Sequence, residues 1–225
     1  MTKIKAVLIQ ILISLVIISI FALVVFYIWY PKPFVEISGV LEPLKLLVIV
    51  NIIIGPMLTF IVYKKDKKHL RLDLSLIVLM QIVALGYGIY TIYNGRPSML
   101  VMHNGEFYYL SVKFSNHSEL KFDELKPSIF TRPKMAYISK TQSVDIYSAY
   151  SDMLPIENYD ETLLPFSGNV ENMQAKFKNK TKEIDLLVAK YNSDDIAFFQ
   201  LDKEGSKYYV VYSKSKNAIV DYLKF

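Results

Sequence analysis

Long uncharged segments alternate with short charged ones over the first 95 residues of the chain. Residues 6–30 contain no charged side chain, and two further uncharged runs follow at 46–63 and 74–93. At 1.5 Å per residue, helices of this length match a hydrocarbon core of about 30 Å. The pattern predicts three membrane-spanning helices, the first of them an uncleaved signal anchor, and it disfavours three buried helices of a water-soluble protein.

Lysine and arginine are concentrated on one side of these predicted spans. Lys3 and Lys5 precede the first span, and the loop 64–73 carries five Lys/Arg, whereas the loop 31–45 has two Lys and two Glu. Basic loops stay in the cytoplasm. We therefore expect a cytoplasmic N-terminus, a membrane domain 1–93, and an outer domain 94–225. We also expect a belt of aromatic residues at the outer interface. The aromatic side chains that end the first and third spans are Phe26, Tyr27, Trp29, Tyr30, Tyr90 and Tyr93.

Two amide side chains lie inside the predicted spans, Asn51 in the second and Gln81 in the third. An amide in hydrocarbon needs a hydrogen-bond partner, which either another helix of this protein or a helix of a client protein can supply. Apart from tyrosine, the spans hold no ionisable side chain. Ion paths and proton relays usually need one, so the sequence argues against a transporter or channel acting alone.

Glycine and proline also mark particular positions in the spans. Pro56 follows Gly55 in the second span, and because proline has no backbone N–H, the helix is predicted to kink there. Gly86 and Gly88 give the third span a surface of small residues. Another helix can approach such a surface closely, and that helix can belong to this protein or to a partner.

The outer domain has the pattern of an α+β fold. Asn94-Gly95-Arg96-Pro97 predicts a turn, and Asn104-Gly105 predicts a tight hairpin. A helix is predicted over 169–191 and a weaker one over 142–153. Strands are predicted at 98–102, 107–113, 135–139, 196–201, 207–212 and 218–223. We expect these strands to form an antiparallel sheet.

Charge and composition exclude several kinds of function. The net charge of +5 comes from residues 1–95, with nine Lys/Arg and four acids, while residues 96–225 hold 17 of each. A neutral outer domain does not suit nucleic-acid binding. The chain has no cysteine, and the outer domain has only His103 and His117. Its acidic pairs, Asp123-Glu124, Asp160-Glu161 and Asp194-Asp195, are adjacent in sequence and point apart in a strand. We expect no catalytic residue, metal or cofactor.

An ordered series of short motifs crosses the membrane domain. It begins with Gly55-Pro56-Met57-Leu58-Thr59 and continues through Leu70-Arg71-Leu72-Asp73-Leu74 to Gln81. It ends with Ala84-Leu85-Gly86-Tyr87-Gly88 and Arg96-Pro97. This series resembles the type IV pilin accessory proteins of the TfpX/TfpZ family, and the similarity is densest over residues 55–110.

The resemblance implies a non-enzymatic, chaperone-like factor in the bacterial inner membrane, with its outer domain in the periplasm. It implies contact with a cognate major pilin and allows contact with other pilus assembly proteins. The residues singled out as pilin contacts or as fold determinants are Asn51, Gly55, Pro56, Gln81, Gly86, Gly88, Arg96 and Pro97. The alternative is a membrane-anchored periplasmic sensor or enzyme that binds a small ligand or a glycan.

Overall fold

The computed structural model describes residues 3–64, 68–139, 145–159, 170–176, 178, 181–202 and 207–224. Contacts divide the chain into two compact units, Met1–Arg96 and Pro97–Phe225. We call them the helical unit and the sheet unit. Residues 65–67 of the predicted basic loop lie outside the described residues.

Three helices of the helical unit, among the described residues, are long and apolar enough to cross a membrane. The first apolar helix (Lys3–Trp29) comprises α1 (Lys3–Val24) and a π-helical turn. After the short α2 (Phe34–Ile37), the second apolar helix (Leu41–Val62) begins. The third apolar helix (Leu70–Gly95) is uninterrupted. These helices contain almost all of the three uncharged runs.

The second apolar helix changes its winding just before Pro56. It consists of α3 (Leu41–Val48), a π-helical segment (Ile49–Ile54) and α4 (Gly55–Val62), and the third apolar helix is α5. The N–H of Gly55 donates to the carbonyl of Val50, five residues earlier. A π-helical segment is one of the forms that an interrupted α-helical ladder takes. The missing N–H of Pro56 is therefore accommodated by a wider stretch of helix.

The described residues of the sheet unit form seven strands in one sheet, in the order β4-β3-β1-β2-β5-β6-β7. The strands are β1 (Pro97–His103), β2 (Glu106–Ser111), β3 (Lys134–Ile138), β4 (Met153–Pro155), β5 (Ile196–Asp202), β6 (Tyr208–Ser213) and β7 (Ala218–Lys224). The prediction of an antiparallel sheet is only partly correct, because β1 pairs with β3, and β2 with β5, in parallel. Both parallel pairs join strands separated by long connections, which parallel pairing requires.

The hairpin predicted at Asn104-Gly105 is confirmed. Both residues have positive φ angles, +49° and +79°, and His103 pairs with Glu106 across the turn. These angles match the right-handed twist of the two strands that the turn connects. The β1–β2 hairpin lies in the centre of the sheet.

Of the two helices predicted in the sheet unit, one corresponds to observed helices and the other does not. The predicted helix 169–191 contains α6 (Val170–Lys176) and α7 (Thr181–Tyr191), while residues 169, 177, 179 and 180 lie outside the described residues. The predicted helix 142–153 is wrong in its described part, where a short 3₁₀ turn (Tyr150–Asp152) leads into β4. Pairing of β4 with β3 overrides the local helical pattern.

Two hydrophobic clusters support the sheet. One lies around β1, β2 and β3 and includes Met99, Leu110 and Ile138. The other packs α6 and α7 against β5, β6 and β7, with Ile184 and Val211 fully buried.

Candidate functional site

A groove with a volume of about 340 Å³ lies among the three apolar helices. One wall is a face of the first apolar helix between Ala6 and Ile17, and the other is a face of the third between Leu74 and Leu85. The residues on each wall are three or four positions apart, which places them on one side of a helix. Asn51 and Thr59 of the second apolar helix, both buried, form the floor. We call this cavity the inter-helix groove.

The inter-helix groove is apolar except for a few uncharged polar groups. Among the described residues that line it, none is charged. The polar lining residues are Gln10, Ser14, Asn51, Thr59 and Gln81. They come from all three apolar helices and lie away from both ends of the walls. The groove therefore has apolar walls and a polar central region.

Gln81 connects the three helices through its side-chain amide. Gln10 Nε2 of the first apolar helix donates to Gln81 Oε1 at 2.6 Å. Gln81 Nε2 donates to the backbone carbonyl of Asn51 in the second at 3.4 Å. The Asn51 side chain stays within its own helix, because its Nδ2 donates to the carbonyl of Leu47 at 2.9 Å.

Gly55 is what allows Gln81 to occupy this position. A Cβ atom placed on Gly55 would lie 1.8 Å from Gln81 Nε2 and 2.5 Å from Gln81 Cδ. Both separations are far below van der Waals contact, so no larger residue fits beside the amide as it stands. Gly55 thus permits close approach in addition to preceding Pro56, which is itself buried.

Gly86 and Gly88 do not form one surface. A Cβ on Gly88 would lie 2.7 Å from Leu47 Cδ1, so this glycine allows the third apolar helix to pack closely against the second. A Cβ on Gly86 would meet no atom within 4 Å. Gly88 therefore belongs to the internal packing of the helical unit, and Gly86 lies on an open flank of its helix.

Arg96 belongs to an aromatic cluster where the first and third apolar helices end. Its guanidinium carbon lies 4.6 Å from the ring centre of Tyr93 and 5.7 Å from that of Trp29. Trp29 also packs edge-on against Tyr93, with ring centres 5.3 Å apart. Arg96 is 1% exposed, and Pro97 after it is buried and opens β1. Arg96 thus packs within the helical unit, and Pro97 is the first residue of the sheet unit.

The aromatic cluster changes the expected interfacial belt. Trp29 and Tyr30 are buried, and the Tyr30 hydroxyl donates to the carbonyl of Ile92 at 2.7 Å. Tyr27 and Tyr90, by contrast, are both 66% exposed. Only some of the predicted belt residues therefore face outward, while the others tie two helices together.

Where the structure describes them, the histidines and acidic pairs that the sequence offered as candidate site residues lie in the strands and turns of the sheet unit. His103 is buried at the end of β1, and His117 opens a 3₁₀ turn. Asp195 accepts hydrogen bonds from Ser213 Oγ and from the N–H of Ser215, both at 2.7 Å, and these bonds lower its pKa. Asp160-Glu161 lies outside the described residues, and within those ranges no three His, Asp or Glu side chains form a metal-binding group.

Three polar residues of the inter-helix groove were not singled out from the sequence. They are Gln10, Ser14 and Thr59. The signal that could have found two of them is spacing, because Gln10 and Ser14 are four residues apart and share one helix face in an otherwise apolar run. Thr59 has no such companion, and its place on the floor follows from the packing of the second helix.

Comparison with known proteins gives a consistent result. A family model described as "Fimbrial assembly protein FimB" matches residues 1–39. Three relatives come from Dichelobacter nodosus. The fimbrial assembly protein of serogroups C1 and C2 is 34% identical over 119 residues, 52% of this chain and 87% of the relative. The protein of serogroup I is 37% identical over 95 residues, 41% of this chain and 37% of the relative. The protein of serogroup E1 is 32% identical over 123 residues, 54% of this chain and 46% of the relative.

No solved structure matches the chain. The similarity covers less than half of the serogroup I and E1 proteins but most of the serogroup C1 and C2 protein. An identity of about one third over nearly the whole length of that relative shows common descent, and this chain belongs to the fimbrial assembly protein family.

Proposed function

We propose that this protein is a non-enzymatic accessory factor of the bacterial inner membrane that assists assembly of a cognate type IV major pilin by direct, chaperone-like contact. Membership of the fimbrial assembly family supports a role in pilus assembly. Three helices apolar enough to cross a membrane support a membrane location. The distribution of Lys and Arg supports a cytoplasmic N-terminus and a periplasmic sheet unit.

The inter-helix groove is the observation that carries the proposal. Each wall extends over about 17 Å, or three helical turns, at 1.5 Å per residue. Both walls are built from apolar helices that also contact the second apolar helix, so the groove has the form of a bundle open to a further helix. We expect the apolar helix of a pilin to pack in the groove while the pilin waits in the membrane.

Site-specific photocrosslinking tests this contact in membranes that contain the full chain and the cognate pilin. A photoreactive residue at Ile13 or Val78 lies on a groove wall, while one at Leu12 or Leu79 lies outside the groove lining. The pairs are matched in exposure, at 54% against 63% and 48% against 56%. We expect pilin adducts from Ile13 and Val78 only. Equal adducts from both members of each pair, or none from either, would contradict the proposed groove contact.

A cellular measurement tests the assembly role separately. The ratio of sheared surface pilin to total pilin is compared with and without the gene. A factor for assembly should raise this ratio without changing total pilin. An unchanged ratio with unchanged total pilin would reject the assembly role.

A further inference from the structure

We propose that two turns of the sheet unit contact the surface of the lipid bilayer. The exposed side chains of Phe114, Ile129 and Phe130 enter the interfacial region, and basic side chains beside them bind the phosphates of anionic headgroups. We call these three apolar side chains the apolar rim. This contact requires the membrane location proposed above, but neither the pilin contact nor a particular orientation of the chain in the membrane.

The first turn of the apolar rim lies beside the start of β1. Phe114 ends the short 3₁₀ turn that follows β2. The last residue of β2, Ser111, pairs with Pro97, the first residue of β1. The hydroxyls of Ser98 and Ser115 are hydrogen-bonded at 2.6 Å, which ties the turn to the same end of β1.

The second turn presents Ile129 and Phe130 near the same end of the sheet. The N–H of Thr131 donates to the carbonyl of Ser128 at 3.1 Å, and the N–H of Ser128 donates to Thr131 Oγ1 at 2.9 Å. Lys134 opens β3 and pairs in parallel near the start of β1. Because Phe130 lies four residues before Lys134, at most about 14 Å of chain separates the turn from this end of the sheet.

The start of β1 follows the third apolar helix almost directly. The helix ends at Gly95 and β1 begins at Pro97, so one residue separates them along the chain. Turns at this end of β1 are therefore within short reach of the lipid surface at which the helix ends. Tethering of this kind gives a high effective concentration, so even a weak contact with the interface is populated.

The apolar rim contains much of the exposed apolar surface of the sheet unit. Phe114 is 61% exposed, Ile129 51% and Phe130 77%. In the described part of the sheet unit, these are three of the five exposed large hydrophobic side chains. Exposed apolar clusters mark surfaces that bind proteins or membranes, and phenylalanine is typical of segments that lie in a lipid interface.

Basic side chains accompany the apolar rim. Lys113 Nζ lies 5.3 Å from the ring centre of Phe114, and Arg132 and Lys134 follow the second turn. The segment 112–134 carries five Lys/Arg and three Asp/Glu, in a sheet unit that elsewhere has no excess of basic residues. Lys and Arg beside an apolar surface keep their stems on that surface and their charges at the level of the headgroups.

A bilayer surface suits this arrangement better than a protein partner. The apolar side chains come from two separate turns, and a fluid interface accepts them without a complementary shape. Apolar side chains with basic neighbours also match the order of a lipid interface, in which anionic phosphates lie above hydrocarbon.

Photocrosslinking of the full-length chain tests the contact with lipid. A photoreactive residue is placed at Phe130 or, as the matched control, at Leu186 of α7, which is 70% exposed and lies in another part of the sheet unit. The purified protein is reconstituted without pilin in liposomes of phosphatidylethanolamine and phosphatidylglycerol. We expect lipid adducts to be several times more abundant from Phe130. Equal lipid yields from the two positions, or adducts from Phe130 to a second copy of the chain alone, would overturn the proposal.

Removal of charge tests the role of the basic side chains in the same assay. Arg132→Gln combined with Lys134→Gln is compared with Lys182→Gln combined with Lys214→Gln, which makes the same change of net charge elsewhere on the sheet unit. We expect the first pair to lower the lipid yield from Phe130 about three- to tenfold and the control pair to leave it within about twofold. Equal yields from the two pairs would contradict headgroup binding by these side chains.

A change of lipid tests the same point without these substitutions. The lipid yield from Phe130 is compared in liposomes with phosphatidylglycerol and in liposomes of phosphatidylcholine alone. We expect the yield to be lower in phosphatidylcholine and to fall with added salt only when phosphatidylglycerol is present. A yield that depends on neither the lipid nor the salt would overturn the role of anionic headgroups.

Membranes that contain the cognate pilin separate this proposal from the proposed function. A pilin adduct that replaces the lipid adduct at Phe130 would overturn the lipid contact and support the pilin assignment. Lipid adducts from Phe130 without any pilin adduct from Ile13 or Val78 would support the lipid contact and contradict the groove contact.

Discussion

Replacement of Gly55 by Ala tests whether the Gln81 amide holds the helical unit together. A Cβ at this position would lie 1.8 Å from Gln81 Nε2, 2.5 Å from Cδ and 3.2 Å from Oε1. Ordinary contact needs roughly 3.4–4 Å, so the amide must move by about 1.5 Å or more. That displacement breaks the 2.6 Å hydrogen bond from Gln10 Nε2 to Gln81 Oε1.

The expected magnitude comes from two opposing effects on the free energy of unfolding. Loss of an interhelical hydrogen bond in a membrane costs about 0.6 kcal/mol on average and up to about 1.7 kcal/mol. Ala in place of Gly within a helix is by itself favourable by up to about 1 kcal/mol. Gly86→Ala isolates the second effect, because a Cβ there meets nothing within 4 Å. Relative to Gly86→Ala, we expect Gly55→Ala to be less stable by about 0.6–1.7 kcal/mol.

Fluorescence of Trp29 provides a suitable assay. It is the one tryptophan of the chain, and it is buried against Phe21 and Tyr93 in the helical unit. Its emission therefore follows unfolding of that unit when the full-length protein in mild detergent is titrated with dodecyl sulfate.

The decisive comparison repeats Gly55→Ala in a Gln81→Ala background. Once the amide is absent, the added methyl group has nothing to displace, and we expect the cost of Gly55→Ala to disappear. A double-mutant cycle then gives a coupling energy of about 0.6–1.7 kcal/mol. An equal cost of Gly55→Ala in both backgrounds would refute the assigned position of Gln81.

Three further predictions concern residues outside the groove. Arg96→Gln removes the cation–π contact with the aromatic cluster, and we expect it to lower stability by about 0.5–2 kcal/mol in the same fluorescence assay. The hydrogen bonds to Asp195 hold its pKa below the ordinary value of about 3.9, so its stabilising effect is present above that pH and is lost as the pH falls through the lowered pKa. Asp195→Asn should therefore speed hydrogen exchange at the Ser215 amide at neutral pH and weaken the acid dependence of that exchange, while Asp194→Asn should change neither. Gly105→Ala places a side chain at φ +79°, and we expect faster exchange in the β1–β2 hairpin, equivalent to about 1–2 kcal/mol of lost local stability.

Local patterns in the sequence predicted those parts of the fold that depend on local chemistry. The uncharged runs gave three long apolar helices, and Asn104-Gly105 gave the central hairpin. Parallel pairing of β1 with β3, and of β2 with β5, depends on segments far apart in sequence, and no local pattern encodes it. For that reason the antiparallel expectation was only partly correct.

The wrong helix at 142–153 has a related cause. Ile146, Ala149, Tyr150 and Met153 recur at helical spacing, and all four are buried in one hydrophobic cluster. The helical spacing therefore reflects burial in the core. It did not indicate the backbone conformation, because Met153 pairs with Ile138 across β4 and β3.

The groove was harder to predict than the fold because it depends on which face each helix turns inward. The sequence identified Asn51 and Gln81 as polar residues in hydrocarbon, with partners either inside the protein or on a client. The structure gives each amide an internal bond and places Thr59 and Asn51 in the lining of the groove. Neither Thr59 nor Gln10 can be assigned to the groove without knowing how the three helices pack.

The residues between the three apolar helices thus divide into two groups with different expected phenotypes. Gly55, Gln81 and Gly88 are in contact with neighbouring helices, so larger or apolar replacements act first on stability. Ile13 and Val78 line the groove and are about half exposed, so replacements there should act on the proposed pilin contact while stability changes little. A residue whose replacement impairs pilus assembly is therefore not necessarily a pilin contact, because the replacement can act through stability instead. Measuring Trp29 unfolding beside the yield of pilin adducts for each variant distinguishes the two groups, because only replacements on the groove walls should change the yield at constant stability.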